Sequence, residues 1–254
     1  ETAMLMLISP AKNLKPLVSD HPLSIPVFAK ESERILKELK KYRLEELMML
    51  LQVKEPLAFL NMERYREIGY DDMGTAAFLT YHGIQYKYMD HRDLTDDDIF
   101  YANDHLRILS GFYGIVRPLD SVYPYRLEMQ TKLSIGKHAD LYAYWGDRLM
   151  KEIRKELKNH PEPVLLDLCS QEYTKSFYPY LRETDRYVNI VFRIWKNGKL
   201  KTEATQAKMA RGMMVHDMIK YRMETLDDVK RFHSGGYVYH DECSDERSLV
   251  FIKK

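Results

Sequence analysis

Three side chains whose chemistry could support catalysis follow a predicted buried strand, in residues 168–175 (LCSQEYTK). Ser170 offers a nucleophilic hydroxyl, Glu172 an acid–base carboxyl group and Lys175 a cation. A desolvated lysine there could attack a sugar aldehyde and form a Schiff base, which is the chemistry of a DNA lyase or of base excision. Because Glu172 and Lys175 have helical spacing, a surface ion pair worth about 0.3 kcal/mol is the alternative. Whether residues 168–175 form a catalytic site therefore stays open.

A second candidate site is a pair of glycines within residues 106–120 (LRILSGFYGIVRPLD). Ser110, Gly111 and Gly114 predict a turn between two apolar segments, and such a turn can present backbone N–H groups that hold a phosphate without any side chain. Arg117 would be the side-chain partner of that phosphate. A packing turn, whose glycines only allow close contact between elements, is the alternative, because glycine spacings alone are weak signals.

Basic residues are concentrated in one part of a chain that has 39 Lys and Arg against 38 Asp and Glu. The range 186–222 contains nine Lys or Arg and two Asp or Glu, which predicts a local polyanion site rather than a polycationic coat. Lys208 and Arg211 share one face of a predicted helix, and Gly212 beside them permits close approach of a backbone or a ligand. Lys12 follows a predicted strand end, where α/β folds place clefts. These three cations are candidate phosphate ligands, and a solvated surface is the alternative.

Two other polar clusters are weaker candidates. Arg126 and Glu128 alternate along a predicted strand in residues 124–129 (PYRLEM), so both point to one side of it. Either they pair with neighbouring groups in a cleft wall or Arg126 reaches a ligand, and both readings stay open. His233 and residues 240–243 (HDEC) are metal-ligating types, but no spacing matches a closed zinc site. Neither a metal nor a cofactor is predicted.

The composition is that of a globular chain, with 254 residues of which 45% are hydrophobic. No apolar run approaches the ~20 residues that span a bilayer, and no signal-peptide pattern is present. Cys169 and Cys243, without a CxxC pair, predict a reducing compartment and hence the cytoplasm. Glu1–Ala3 are expected to be a remnant ahead of a natural initiator, Met4.

Hydrophobic periodicity predicts mainly helices in the first half of the chain and more strands in the second. Thr95 begins a predicted capping box, and Asn197-Gly198 is a strong hairpin signal. The simplest account is one mixed α/β (α+β) domain over residues 4–254. The main predicted helices are 32–42, 44–52, 95–109, roughly 141–159 and 206–222, and the strands are 5–8, 163–168, 187–195, 199–205, 237–239 and 249–252.

Six blocks of sequence occur together in one order: LISPAK at 7–12, LSGFYGIVRPLD at 109–120, PYRLEM at 124–129, LYAYWG at 141–146, LCSQEYTK at 168–175 and AKMARGM at 207–213. In combination they resemble the YaaA family of peroxide-stress-response proteins, over nearly the whole chain. The resemblance implies a cytoplasmic bacterial protein that limits damage by hydrogen peroxide and is linked to lower free intracellular iron. It also implies DNA binding through a helix-hairpin-helix-like element and a positively charged cleft, and it brings no established catalytic activity.

On this resemblance, helix 95–109 would be the first helix of the helix-hairpin-helix, residues 110–114 the hairpin, and the segment from Ile115 the second helix. The predicted function is a DNA-binding protein of the peroxide stress response that contacts phosphates of double-stranded or structurally disrupted DNA with little sequence readout. Two alternatives stay open, a lyase- or glycosylase-like enzyme acting on damaged DNA and an iron-binding or regulatory protein. Neither a membrane nor a protein partner is predicted.

Overall fold

The structure, a computed structural model, describes residues 4–158 and 163–254 of the chain. The strands in these ranges are β1 (Met4–Ile8), β2 (Asn13–Leu14), β3 (Thr75–Ala76), β4 (Tyr81–His82), β5 (Leu106–Ser110), β6 (Gly114–Val116), β7 (Ser121–Val122), β8 (Val164–Asp167), β9 (Tyr187–Lys196), β10 (Lys199–Lys201), β11 (Tyr237–Tyr239) and β12 (Ser248–Lys253). The α-helices are α1 (Ala29–Leu39), α2 (Leu44–Leu51), α3 (Glu55–Glu67), α4 (Ala77–Thr80), α5 (Ile84–Met89), α6 (Asp96–His105), α7 (Leu141–Trp145), α8 (Arg148–Leu157), α9 (Gln171–Thr174), α10 (Ala204–Lys220) and α11 (Leu226–Lys230).

The centre of the main sheet is β1, which is buried along its whole length. It pairs in parallel with β5 on one side and with β8 on the other, and the sheet continues in parallel through β9 to β12. β6 and β11 end the sheet in antiparallel orientation, and β10 pairs with β9. The continuous apolar runs MLMLI in β1 and VLL in β8 are typical of parallel strands covered on both faces. The predicted mixed α/β fold is confirmed.

The carboxyl ends of β1 and β8 meet at the same edge of the sheet. Leu7 and Asp167 are register partners, so Ser9 and Ser170, which follow the two strands, lie side by side. The Ser170 N–H donates to Ser9 Oγ over 2.9 Å, and the Ser9 hydroxyl donates to Ser170 Oγ over 3.2 Å. In open parallel sheets, this edge is where ligands bind.

Helix α10 packs closely against the short helix α5. A Cβ atom at Gly212 would overlap the carbonyl oxygen of Gln85 and press on the side chain of Tyr88. The close approach predicted at Gly212 is therefore confirmed, and the group that approaches is a backbone. α5 is in turn tied to the end of β1, because the Gln85 amide and the Tyr86 hydroxyl both donate to the Ser9 carbonyl oxygen, over 3.1 and 2.8 Å.

Two predictions from local signals are confirmed. At the start of α6, the Thr95 hydroxyl accepts from the Asp98 N–H over 3.2 Å, and the Asp98 carboxylate accepts from the Thr95 N–H over 2.9 Å. Between β9 and β10, Asn197 and Gly198 have φ values of 53° and 70°. Positive φ at both central residues is what a two-residue hairpin turn of this type requires.

The helix-hairpin-helix prediction for residues 95–120 is wrong. α6 ends at His105, and the chain continues as β5, a turn and β6. Pairing of β5 with β1 outweighs the helical pattern of this apolar run. In the turn, the N–H groups of Phe112 and Tyr113 donate to Ser110 Oγ over 3.2 and 2.9 Å, and all three residues are buried. These N–H groups are not available to a phosphate.

The two glycines of this turn are packing positions. Gly114 has φ +76°, and a Cβ atom there would collide with the ring of Trp145. A Cβ atom at Gly111 would press on the backbone of residues 127–129, and the Trp145 Nε1–H donates to the Gly111 carbonyl oxygen over 2.9 Å. The packing turn, the alternative interpretation of these glycines, is the one that the structure supports.

The helix predicted at 141–159 is two helices. α7 ends at Trp145, Gly146 adopts φ +51°, and α8 begins at Arg148. The positive φ of Gly146 takes the backbone out of the helical conformation between the two helices. Asn159, where the prediction ended, lies outside the described residues, as do Glu1–Ala3 and the remnant predicted for them.

We expect Gly212→Ala to destabilise the protein by about 2 kcal/mol, because the added methyl group must displace the backbone of α5. Helix propensity alone predicts the opposite sign, since alanine is favoured over glycine by about 1 kcal/mol in a helix interior. Urea unfolding followed by circular dichroism measures the difference. Thr205→Ala, at an exposed position of α10, is the control. A Gly212→Ala variant as stable as the wild type would contradict the packing described here.

Candidate functional site at the carboxyl edge of the sheet

A cleft with a volume of about 290 Å³ opens at the edge where β1 and β8 end. Its walls are formed by residues 9–13 after β1, 82–86 at the start of α5, 125–128, then Ser170, Glu172 and Tyr173 at α9, and Lys208 and Arg211 on α10. The volume lies near the lower end of the range for small-ligand pockets, roughly 300–1,000 Å³. The cleft therefore has room for one small ligand.

Four cations and two carboxylates lie in the lining of this cleft. Lys12, Lys208 and Arg211, the three side chains predicted as phosphate ligands, are brought together there, and Arg126 joins them. Lys208 is exposed, and it has no ion pair within residues 4–158 and 163–254. Lys12 places its Nζ 3.1 Å from an oxygen of Glu128. Cations from distant parts of the chain thus converge on one small volume.

Three buried polar atoms of the lining have no hydrogen-bond partner among the described residues: Arg126 Nε, Arg211 Nε and Glu128 Oε1. Glu128 Oε1 lies within ion-pair distance of Lys12 but outside hydrogen-bond geometry. The Arg126 guanidinium lies 3.7 Å from the other carboxylate oxygen of Glu128. A buried polar group without a partner costs about 1–3 kcal/mol. Such atoms are typical of a binding site, because a ligand can supply their partners.

Glu128 and Glu172 form the acidic part of the lining. Burial raises the pKa of Glu172, and the negative charge of Glu128 raises that pKa further. The Gln130 N–H points to the Glu172 carboxylate over 3.5 Å, and the Tyr142 hydroxyl donates to the Glu172 carbonyl oxygen over 2.7 Å. The cleft therefore holds one carboxyl group with a raised pKa close to a second carboxylate, and acid–base catalysis uses such pairs.

A buried carboxylate beneath the cleft fixes the turn that carries Ser170. Asp167 accepts hydrogen bonds from the Cys169 N–H over 2.8 Å and from the hydroxyls of Thr174 and Tyr187, each over 2.7 Å. Burial raises the pKa of Asp167. Burial also raises the pKa of the Cys169 thiol, which favours the unreactive thiol over the thiolate.

Two of the charged residues predicted for the site lie outside the cleft lining. Lys175, the third candidate catalytic residue, places its Nζ 5.1 Å from the centre of the Tyr142 ring. Arg117, the predicted partner of a phosphate at the glycine turn, lies 3.7 Å from the Glu156 carboxylate. The other two catalytic candidates, Ser170 and Glu172, line the cleft. Ser170 and Glu172 therefore share the cleft with Lys12 and Lys208, and not with Lys175, the lysine predicted to take part in catalysis.

Ser110 lies behind the cleft rather than in it. Its hydroxyl shares a 2.7 Å hydrogen bond with the Tyr125 hydroxyl, which also bonds to the Tyr81 hydroxyl over 2.8 Å. Tyr125 is a lining residue. Ser110 thus supports a wall of the cleft and does not reach a ligand directly.

Sequence reasoning missed the wall formed by residues 82–86. Gln85 and Tyr86 bond to Ser9, which lies 76 and 77 positions earlier in the chain. The one signal in the sequence was Gly212, which predicts that a backbone approaches α10 but cannot say which one. A single sequence does not identify a partner at that distance.

The polar cluster near the end of the described residues forms local pairs, with His240 Nδ1 3.0 Å from Glu242 Oε1. Within residues 4–158 and 163–254, no three His, Cys, Asp or Glu side chains are grouped so that they could hold a metal ion. In the same ranges, no helix is both long enough and apolar enough to cross a membrane.

The fold and the cleft define a class of α/β protein, one with a ligand-sized polar cleft at the carboxyl edge of its parallel strands. Comparison with known families narrows this class. A family model described as "Peroxide stress protein YaaA" matches residues 4–243. The chain belongs to this family, which confirms the resemblance found in the six sequence blocks.

Relatives from three bacteria match along all or nearly all of their length. A UPF0246 protein of Clostridioides difficile (strain 630) is 41% identical over 252 residues, which are 99% of this chain and 100% of that protein. UPF0246 proteins of Desulfitobacterium hafniense (strain Y51) and Dechloromonas aromatica (strain RCB) are both 38% identical, over 98% and 99% of each chain respectively. The family description is consistent with a role in peroxide stress.

Glu172→Gln should change the pH dependence of stability. The folded state raises the pKa of Glu172, so the unfolded chain loses this proton at a lower pH than the folded chain does. Wild-type stability therefore falls as the pH rises through the window between the two pKa values, whereas the glutamine variant lacks this loss. We expect the urea midpoint of the variant to rise relative to that of the wild type as the pH increases from about 4 upward.

Glu183→Gln, which removes an exposed carboxylate outside the cleft lining, controls for the change in net charge. If the midpoints of Glu172→Gln and of the wild type keep a constant difference across this range, the environment described for Glu172 is wrong.

Proposed function

We propose that this protein acts in the peroxide stress response by binding DNA, with a backbone phosphate held in the cleft by Lys12, Lys208 and Arg211. The observation that carries the proposal is the convergence of these cations beside buried guanidinium nitrogens that have no hydrogen-bond partner among the described residues. Hydrogen bonds from ammonium and guanidinium groups to phosphate oxygens are charge-assisted and strong. Phosphate contacts position a protein without reading base sequence.

The size of the cleft favours disrupted DNA over an intact duplex. A volume of about 290 Å³ accepts one nucleotide-sized group, whereas a base-paired duplex is too wide to enter. A nucleotide enters such a cleft only after it leaves the base stack, and this step costs least where the pairing is already broken. Bubbled or abasic DNA should therefore bind more tightly than plain duplex.

The cellular role in this proposal combines the family description with the resemblance. The family is described as a peroxide stress protein, and the resemblance implies lower free intracellular iron. In cells that lack their own copy of the gene, the wild-type protein should restore survival under hydrogen peroxide and lower chelatable iron. A Lys208→Ala variant should restore less of both if these effects depend on DNA binding in the cleft.

Lys208→Ala should weaken DNA binding about tenfold, which equals about 1.4 kcal/mol. The loss of one phosphate contact should also lower the slope of log affinity against log salt by about 0.9 on duplex DNA. Fluorescence anisotropy with plain, bubbled and abasic duplexes across a salt series measures both quantities.

Lys199→Ala is the matched control, because Lys199 is an exposed lysine of the same basic range 186–222 but lies outside the cleft lining. Its salt slope should equal that of the wild type. Equal losses in the two variants would show that general charge, and not the cleft, binds the DNA. No binding by the wild type at low salt would contradict the proposal itself.

A second candidate function is a glycosylase- or lyase-like activity on damaged DNA, and the two carboxyl groups in the cleft favour it. A protonated Glu172 could donate a proton to a departing base while Glu128 accepts a proton from the attacking water. Lys12 and Lys208 are the lysines in the lining, so a Schiff base to an abasic sugar would form on one of them rather than on Lys175.

Duplexes that contain an abasic site or an oxidised base test this activity. Base release that is lost in Glu172→Gln and kept in Glu183→Gln would support the glycosylase, and an adduct trapped by borohydride would support the lyase. The absence of base release, strand cleavage and trapped adduct would exclude both activities on these substrates.

A further inference from the structure

A larger groove, with a volume of about 1230 Å³, adjoins the cleft. The groove and the cleft share five lining residues, Asn13, His82, Gly83, Ile84 and Tyr86. They are therefore continuous along the start of α5, and a chain that leaves the cleft over residues 82–84 enters the groove. The groove is too large for one small ligand, since such pockets rarely exceed roughly 1,000 Å³.

The groove carries free positive charge. Lys15, Lys87 and Arg92 line it, all three are exposed, and none has an ion pair within the part of the chain that the structure describes. By contrast, the Asp217 carboxylate in the groove lies 2.9 Å from Nδ1 of His216 and also accepts from the hydroxyl of Ser234. Asp90 is the remaining carboxylate of the lining.

The cations lie on two segments of the chain that line the cleft and the groove. Lys12 lies in the cleft, and Lys15 lies in the groove three residues later. The two are joined through the extended residues of β2, which advance by about 3.3 Å each, so their backbones are roughly 10 Å apart. Lys87 lies in α5 and Arg92 lies three residues after the end of that helix. Charges spaced in this way suit a linear polyanion better than one small anion.

Apolar surface accompanies these charges. Leu17 and Ile84 line the groove with 44% and 40% of their surface exposed, and Tyr88 and Met213 are partly exposed beside them. A basic groove that follows the backbone, combined with aromatic and apolar side chains that contact the bases, is the usual pattern for binding single strands.

We infer that the groove is the path of a single-stranded DNA segment that continues from the nucleotide held in the cleft, with Lys15, Lys87 and Arg92 on its phosphates. The inference rests on the proposed function of the cleft. It adds that the bound DNA is unpaired over several nucleotides on one side of that nucleotide.

The test is the length dependence of binding, measured by fluorescence anisotropy with labelled oligothymidylates of about 3 and about 12 nucleotides, since single-strand sites span roughly 4–16. Wild-type protein should bind the longer oligomer at least about tenfold more tightly. The double variant Lys87→Gln with Arg92→Gln should lose this gain and keep its affinity for the short oligomer. Its salt slope on the long oligomer should fall by about 1.4, because two contacts to single-stranded DNA are lost.

Lys199→Gln with Lys201→Gln is the matched control, because it removes two exposed cations outside both the groove and the cleft. The control variant should still bind the longer oligomer more tightly than the shorter one. If the Lys87→Gln, Arg92→Gln variant does so as well, or if the wild type binds both oligomers equally, the inference is wrong and the proposed function is unaffected.

Two further outcomes are distinguishable from these. If the wild type binds neither oligomer at low salt and no bubbled duplex, the proposed function fails and the inference fails with it. If poly-glutamate of similar length displaces the long oligomer as well as unlabelled oligothymidylate does, the groove binds acidic chains in general and the assignment to single-stranded DNA is wrong.

Discussion

Parallel pairing of β1 with both β5 and β8 is the constraint on which the rest of the structure depends. Met6 is the register partner of Leu106 on one side and of Leu166 on the other. Burial of these strands specifies that register strongly, because a slip by one residue would exchange the faces of every side chain. The register decides where each strand ends, and it thereby places Ser9 beside Ser170. The segments that follow carry Lys12 and Glu172 into one cleft.

The remaining wall depends on one point of close packing. α10 carries Lys208 and Arg211 to the cleft, and its contact with α5 is possible because Gly212 has no side chain to hold the helices apart. α5 is bound to the end of β1 through the two hydrogen bonds to the Ser9 carbonyl oxygen. The sheet edge, α5 and α10 therefore form one connected unit, and the guanidinium of Arg211 is positioned by packing as much as by charge.

Local chemistry explains which features could be predicted from the sequence. The capping box at Thr95 and the turn at Asn197-Gly198 depend on residues a few positions apart. Lys12 and Glu172 could be placed at a site because both follow buried strands. The failures depend on distant partners: β5 is a strand because β1 lies beside it. Lys175 lies outside the cleft, with its Nζ 5.1 Å from the centre of the Tyr142 ring, and Tyr142 is 33 positions away in the sequence.

The great separation in sequence between the walls of the cleft has a consequence for synthesis of the protein. Ser9 and Ser170 are 161 positions apart, and the cations of α10 follow later still. While the chain is being made, β1 has one unpaired edge until β8 is complete, and an exposed edge strand invites pairing with other chains. A nascent chain has no cleft before α10 is made. The cleft is therefore completed only late in synthesis, and truncated chains should lack it and be prone to aggregate.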